Sequence, residues 1–144
     1  GGQPYSKLVA AENGCLYAPP CNASHVLEIN PAADSVRTIG PNLDADEERE
    51  YSDIALAGNG YLYAIPSKTG RVVEIDPTNG HVTFIGSVLH EDSDLADEFE
   101  DCIFAPAILA QDGNLYASPC TAAEARVLKI NPETKAVSFI GHRI

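Results

Sequence analysis

Three stretches of this chain are one stretch written three times. Gly14-Cys15-Leu16-Tyr17-Ala18-Pro19-Pro20 matches Gly60-Tyr61-Leu62-Tyr63-Ala64-Ile65-Pro66 and Gly113-Asn114-Leu115-Tyr116-Ala117-Ser118-Pro119. Each continues in register, through Val26-Leu27-Glu28-Ile29-Asn30-Pro31, Val72-Val73-Glu74-Ile75-Asp76-Pro77 and Val127-Leu128-Lys129-Ile130-Asn131-Pro132. Each closes on an Ile-Gly pair, at Ile39-Gly40, Ile85-Gly86 and Ile140-Gly141. Upstream, Tyr5, Tyr51 and Phe104 each stand 12 residues before the tyrosine of Leu-Tyr-Ala. Such a chain folds as repeated units that bury their faces against one another, not around one central core.

The first step is 46 residues at every landmark; the second is 53 at the tyrosine and 55 at the later proline and glycine. The extra residues lie between the second and third copies and inside the third, where loops absorb insertions. A period near 45 matches propeller blades, whereas ankyrin and tetratricopeptide units are shorter and helical. Four short strands fit the second copy: Tyr51 to Ala57, Tyr61 to Ile65, Arg71 to Ile75 and Val82 to Ile85, each bounded by Gly, Asn, Asp or Pro. Asn59-Gly60 and Asp112-Gly113 read as two-residue hairpin turns with both central residues at positive φ. Asp76-Pro77-Thr78-Asn79-Gly80 reads as a turn in which proline presets φ and glycine takes the left-handed site.

The strands are apolar on both faces, as sheets sandwiched between two neighbours must be. The first strand of each copy is small and apolar (Leu8 to Ala11, Ile54 to Ala57, Ala107 to Ala110), which suits inner strands crowding a tapering axis. The expected fold is all-β: a β-propeller of four-stranded antiparallel blades, three in this chain, at residues 4–42, 50–90 and 101–144. The pattern Gly-x-Leu-Tyr-Ala-x-Pro, then Val-x-Glu-Ile-Asp-Pro, then Val-x-x-Ile-Gly resembles the YVTN-type propeller repeat and its tandem relatives in algal and protist proteins. The resemblance implies architecture and no single activity. The glycine pair of kelch repeats and the Trp-Asp of WD40 blades are missing.

Closed propellers usually need four to eight blades, and each blade hides its faces only against neighbours. Three blades leave two apolar faces bare, and patches of that size mark interaction surfaces. A second copy joined head to tail would close a six-bladed ring in two steps. The alternatives are a piece of a longer propeller, or other chains supplying the remaining blades. The opening Gly1-Gly2-Gln3-Pro4, without a methionine, reads as a processed, excised or tagged product.

Loops between blades, and between second and third strands, share one side of such a ring, and that side carries the insertions and most of the acidic residues. The segments 44–50 and 91–101 are dense in carboxylates, with Asp44, Asp46, Glu48, Asp92 and Asp94 as candidate ligands for Ca²⁺. Neither segment has the glycine or terminal glutamate of an EF-hand loop. The first reading of both is solvated acidic loops that aid solubility; a face for a basic protein comes second and a metal site third. The net charge of −12 argues against nucleic acid as a partner, and no apolar run approaches the roughly 20 residues of a membrane span. Asn22-Ala23-Ser24 has the form of an N-glycosylation acceptor.

The four cysteines form no Cys-x-x-Cys pair. Cys15 and Cys21 lie on one extended stretch, beyond disulfide reach of each other. Cys102 and Cys120 sit at the same rim of adjacent antiparallel strands and are the candidate disulfide; in a paired ring Cys120 would also approach Cys21 of the other copy. His25, His81, His90 and His142 are scattered, with no Gly-x-Ser-x-Gly elbow or His-Glu-x-x-His pair. The leading reading is a non-enzymatic binding or assembly module. Its rivals are a cation-dependent hydrolase or lyase propeller, and a structural subunit of a larger complex.

Overall fold

The computed structural model describes residues 7–19, 25–42, 51–66, 70–89, 106–118 and 127–140. These form three separate four-stranded antiparallel sheets and no helix. The first sheet is a meander of β1 (Val9–Ala10), β2 (Leu16–Ala18), β3 (Val26–Asn30) and β4 (Ser35–Ile39). The second holds β5 (Tyr51–Leu56), β6 (Leu62–Pro66), β7 (Gly70–Asp76) and β8 (His81–Leu89). The third holds β9 (Ile108–Leu109), β10 (Leu115–Ala117), β11 (Val127–Asn131) and β12 (Ala136–Ile140). One sequence repeat therefore builds one sheet, and the register repeats with it: Tyr17 lies opposite Glu28, Tyr63 opposite Glu74 and Tyr116 opposite Lys129.

Two hydrophobic cores lie between the sheets rather than within them. The first joins blades one and two through Tyr17, Val26, Ile54, Leu62, Val73 and Ile75. The second joins blades two and three through Tyr63, Ile65, Val72, Leu115, Leu128 and Ile130. The middle blade is buried on both sides, and every residue of β6 is buried. Among the inner strands, β5 lies against both β1 and β9.

The turn after each first strand differs from the two-residue hairpin the dipeptides suggested. Gly60 N–H donates to Ala57 O at 3.1 Å and Ala57 N–H donates to Tyr61 O at 2.9 Å. That is a three-residue loop in which only glycine takes positive φ, at 87°, 86° and 87° for Gly14, Gly60 and Gly113. The physical reason is the preceding side chain: Asn13, Asn59 and Asp112 accept a hydrogen bond from the backbone two residues on, at 2.9, 3.0 and 2.9 Å. In the turn between third and fourth strands, Gly80 takes the left-handed site as expected, at φ 74°. Its counterparts are Asp34 at φ 53° and Lys135 at φ 64°. β8 runs past its expected end, through an irregularity opposite Gly70 and Val72 where Gly86 holds φ 70°.

Candidate functional site

Blade junctions are what this chain builds with most of its buried side chains. Each junction sets the trailing face of one blade on the leading face of the next. The leading face of blade two presents Ile54, Leu62, Ala64, Val73, Ile75 and Val82 to blade one. The matching positions of blade three, from Ala107 through Leu115 to Val137, pack on blade two. A valine on each leading face seats in a glycine notch on the blade before it: a Cβ built on Gly40 would meet Val82 Cβ at 2.5 Å, and one on Gly86 would meet Val137 Cβ at 2.6 Å.

Polar groups are threaded through these faces in a repeated network. Tyr17 Oη donates to Glu28 Oε2 at 2.8 Å, and Asn13 Nδ2 donates to Tyr17 Oη at 3.0 Å. Tyr63 Oη donates likewise to Glu74 Oε2 at 2.7 Å. Burial first, then the Glu28 carboxylate, push Tyr17 up to about 12, against the Asn13 amide; Tyr63 is pushed up further for the same reasons. Burial raises Glu28, but hydrogen bonds from Arg37 (2.6 Å) and Tyr17, with the Arg37 charge, outweigh it and hold the carboxyl below its ordinary value. In blade three lysine replaces glutamate, and Tyr116 Oη turns to Asp112 Oδ2 at 2.6 Å.

Asp53 ties three blades together. The residue is 1% exposed on β5; Oδ1 pairs with Lys7 Nζ at 2.5 Å, and Oδ2 accepts Ala107 N–H at 2.7 Å. One carboxylate thus links the approach to β1, the middle blade and the approach to β9. On the opposite rim, Asn13 Nδ2 reaches Pro77 O across the first junction at 3.3 Å. At the second junction, Gly58 stands where blade one has Glu12, and an open cleft of about 320 Å³ remains between Asn59, Asp112 and Glu133.

The two outer faces carry the exposed large apolar side chains, beside half-buried ones such as Leu27 and Ile29. On blade one, Leu8 is 52% and Val36 63% exposed; on blade three, Ile108 is 69% and Ile140 38% exposed. The candidate calcium ligands Asp44, Asp46, Glu48, Asp92 and Asp94, and the candidate disulfide of Cys102 and Cys120, lie outside the described residues, as does Cys21. Cys15 is a half-buried free thiol packed at the first junction. Among the described residues no group of three or more His, Cys, Asp or Glu is placed to hold a metal ion, and no helix is long and apolar enough to cross a membrane. Sequence reasoning missed Asp53 and the Tyr–Glu pairs. The glutamates were open to view, as one charged residue at the same place in two otherwise apolar strands; Asp53 has no such repeat, because Lys7 and Pro106 hold its equivalent positions.

No known family profile matches the chain, and no curated protein matches it. Solved structures do, and they identify the class: these are blades of a β-propeller. The chain superposes on virginiamycin B lyase from Staphylococcus aureus with a TM-score of 0.70 at 11% identity, covering 94% of this chain and 40% of that one. Against hydrazine synthase from Kuenenia stuttgartiensis the TM-score is 0.65 at 11% identity, over 96% and 36%. Against an auxiliary nutrient binding protein from Bacteroides ovatus it is 0.61 at 12% identity, over 97% and 33%. The chain thus spans between a third and under half of the length of these three structures. Two of these proteins are enzymes and the third is a binding protein, so the shared feature is the fold.

Proposed function

We propose that this chain is a non-enzymatic β-propeller module for binding and assembly, which completes a ring with further blades, most simply a six-bladed ring made with a second copy. The observation that carries this reading is the contrast between blades. The middle blade buries both faces, while each terminal blade leaves one apolar face in water. Exposed apolar surface of that kind is stabilised by a partner. The Leu-Tyr-Ala and Ile-Asn/Asp-Pro landmarks support kinship with YVTN-type repeats. In the completed ring, the acidic segments 44–50 and 91–101 would join blades on one rim, and offer carboxylates to a basic protein or, less specifically, to Ca²⁺.

Native mass by light scattering on a sizing column tests the reading. A species near twice 15.3 kDa is expected. A folded species at 15.3 kDa at all concentrations would overturn it.

A further inference from the structure

The junction that this chain does not make with itself can be specified from the junctions it does make, because each uses equivalent positions. Across the second junction, Lys135 Nζ pairs with Glu74 Oε2 and lies 4.4 Å from the centroid of the Tyr61 ring. Lys135 sits in the turn of the following blade; Glu74 and Tyr61 sit on the trailing face of the preceding one. At the first junction these positions hold Gly80 against Glu28 and Cys15, and Glu28 is satisfied by Arg37 of its own blade.

At the open ends the charges are exchanged. Blade three carries Lys129 where blade two has Glu74, and Asn114 where blade two has Tyr61. Blade one carries Asp34 where blade three has Lys135. Asp34 and Lys135 hold the same left-handed backbone, at φ 53° and 64°, so their side chains leave the turn in the same direction. A cation over an aromatic face is attracted by it and an anion is repelled. Where the incoming charge becomes negative, the ring has become an amide and the receiving carboxylate an ammonium. The apolar part matches as well: Leu8, Leu16, Ala18, Leu27, Ile29 and Val36 repeat the leading-face pattern of blades two and three.

We propose that the trailing face of blade three receives blade one of a second copy of this chain, with Lys129 of one copy paired to Asp34 of the other. The proposal rests on the assembly reading above and fixes its partner. Complementary signs at the two ends of a single chain favour head-to-tail self-pairing, and an unrelated set of blades has no reason to match both ends. A two-copy ring contains the contact twice.

The test uses Lys129→Glu and Asp34→Lys, alone, mixed, and combined in one chain. Each single change sets like charges together at both contacts. It is expected to weaken pairing about tenfold, the effect of two rim contacts at about 0.7 kcal/mol each. Mixing the two single variants restores one original and one inverted pair, so mixed pairs form preferentially, and the double variant regains the original affinity. Single variants that pair as tightly as the unaltered chain, or variants that weaken pairing without rescue on mixing, would overturn the proposal and leave assembly standing. An unaltered chain that never pairs would overturn both.

Discussion

Glu28 is a carboxylate in an otherwise apolar strand, and its cost of burial is offset by Tyr17 and Arg37. Tyr17→Phe removes a buried donor and should lower unfolding free energy by about 1–2 kcal/mol in urea titrations. Tyr116→Phe, whose hydroxyl meets the exposed Asp112, should move the midpoint far less. The pH dependence follows from the two directions of shift. Because the folded-state value of Glu28 lies below its ordinary 4.5, its share of stability is present above pH 4.5 and is lost as pH falls through the lowered value. Because Tyr17 is raised from 10.0 to about 12, its share is present below pH 10 and is lost as pH rises towards 12. Tyr17→Phe should therefore flatten the alkaline limb measured by fluorescence or circular dichroism. Asp53 has larger consequences. Asp53→Ala releases the exposed Lys7 ammonium to water but leaves Ala107 N–H without its acceptor, at an expected cost of about 1–3 kcal/mol; Asp53→Asn keeps the acceptor and should cost less. An Asp53→Ala chain as stable as the original would refute that bridging role.

At the scale of the strand and turn, repetition made the element order legible. Each strand of the second blade was expected close to its observed place, because turn residues punctuate the strand runs; the exception is the far end of β8, which continues to Leu89 instead of stopping at Ile85. What repetition could not convey is why a landmark recurs. Gly40 and Gly86 read in the sequence only as ends of strands; in the fold each is the notch that admits a valine of the next blade, a contact between residues 42 and 51 positions apart. Local pattern carries no information about that approach. The hairpin was misread for a related reason: Asn59-Gly60 favours a two-residue turn locally, but the asparagine side chain caps Tyr61 N–H and leaves positive φ to glycine alone. Gly86→Ala should cost about 1–3 kcal/mol, since its Cβ would lie 2.6 Å from Val137 on a backbone at φ 70°. Gly58→Ala, with nothing within 4 Å of the added carbon, should be neutral or stabilising by up to about 1 kcal/mol. Gly113→Ala, on a backbone at φ 87° with nothing within 4 Å of the added carbon, isolates the backbone share: a loss there equal to that of Gly86→Ala in thermal unfolding would place the penalty in the backbone rather than at the junction.

Across the whole molecule, the exposed apolar faces would favour the self-pairing proposed above and net charge would oppose it. Each chain carries −12, and more than half of its 21 acidic residues belong to the two segments between blades. Bringing two copies together therefore brings together two strongly negative bodies, a repulsion that acts over about 30 Å at 0.01 M salt and about 8 Å at 0.15 M. The proposed Lys129–Asp34 contact would act in the opposite sense, but as a rim pair it would supply well under the apolar contribution of a face such as Leu8, Leu27, Ile29 and Val36. Screening should thus remove more repulsion than attraction, and pairing should tighten as sodium chloride rises from about 0.01 to 0.15 M. Sedimentation equilibrium across that series reads the dissociation constant directly. The unfolding midpoint should also rise with protein concentration, as linked association demands. Pairing that weakens with salt would mean that opposite charges, and not the bare blade faces, hold the copies together.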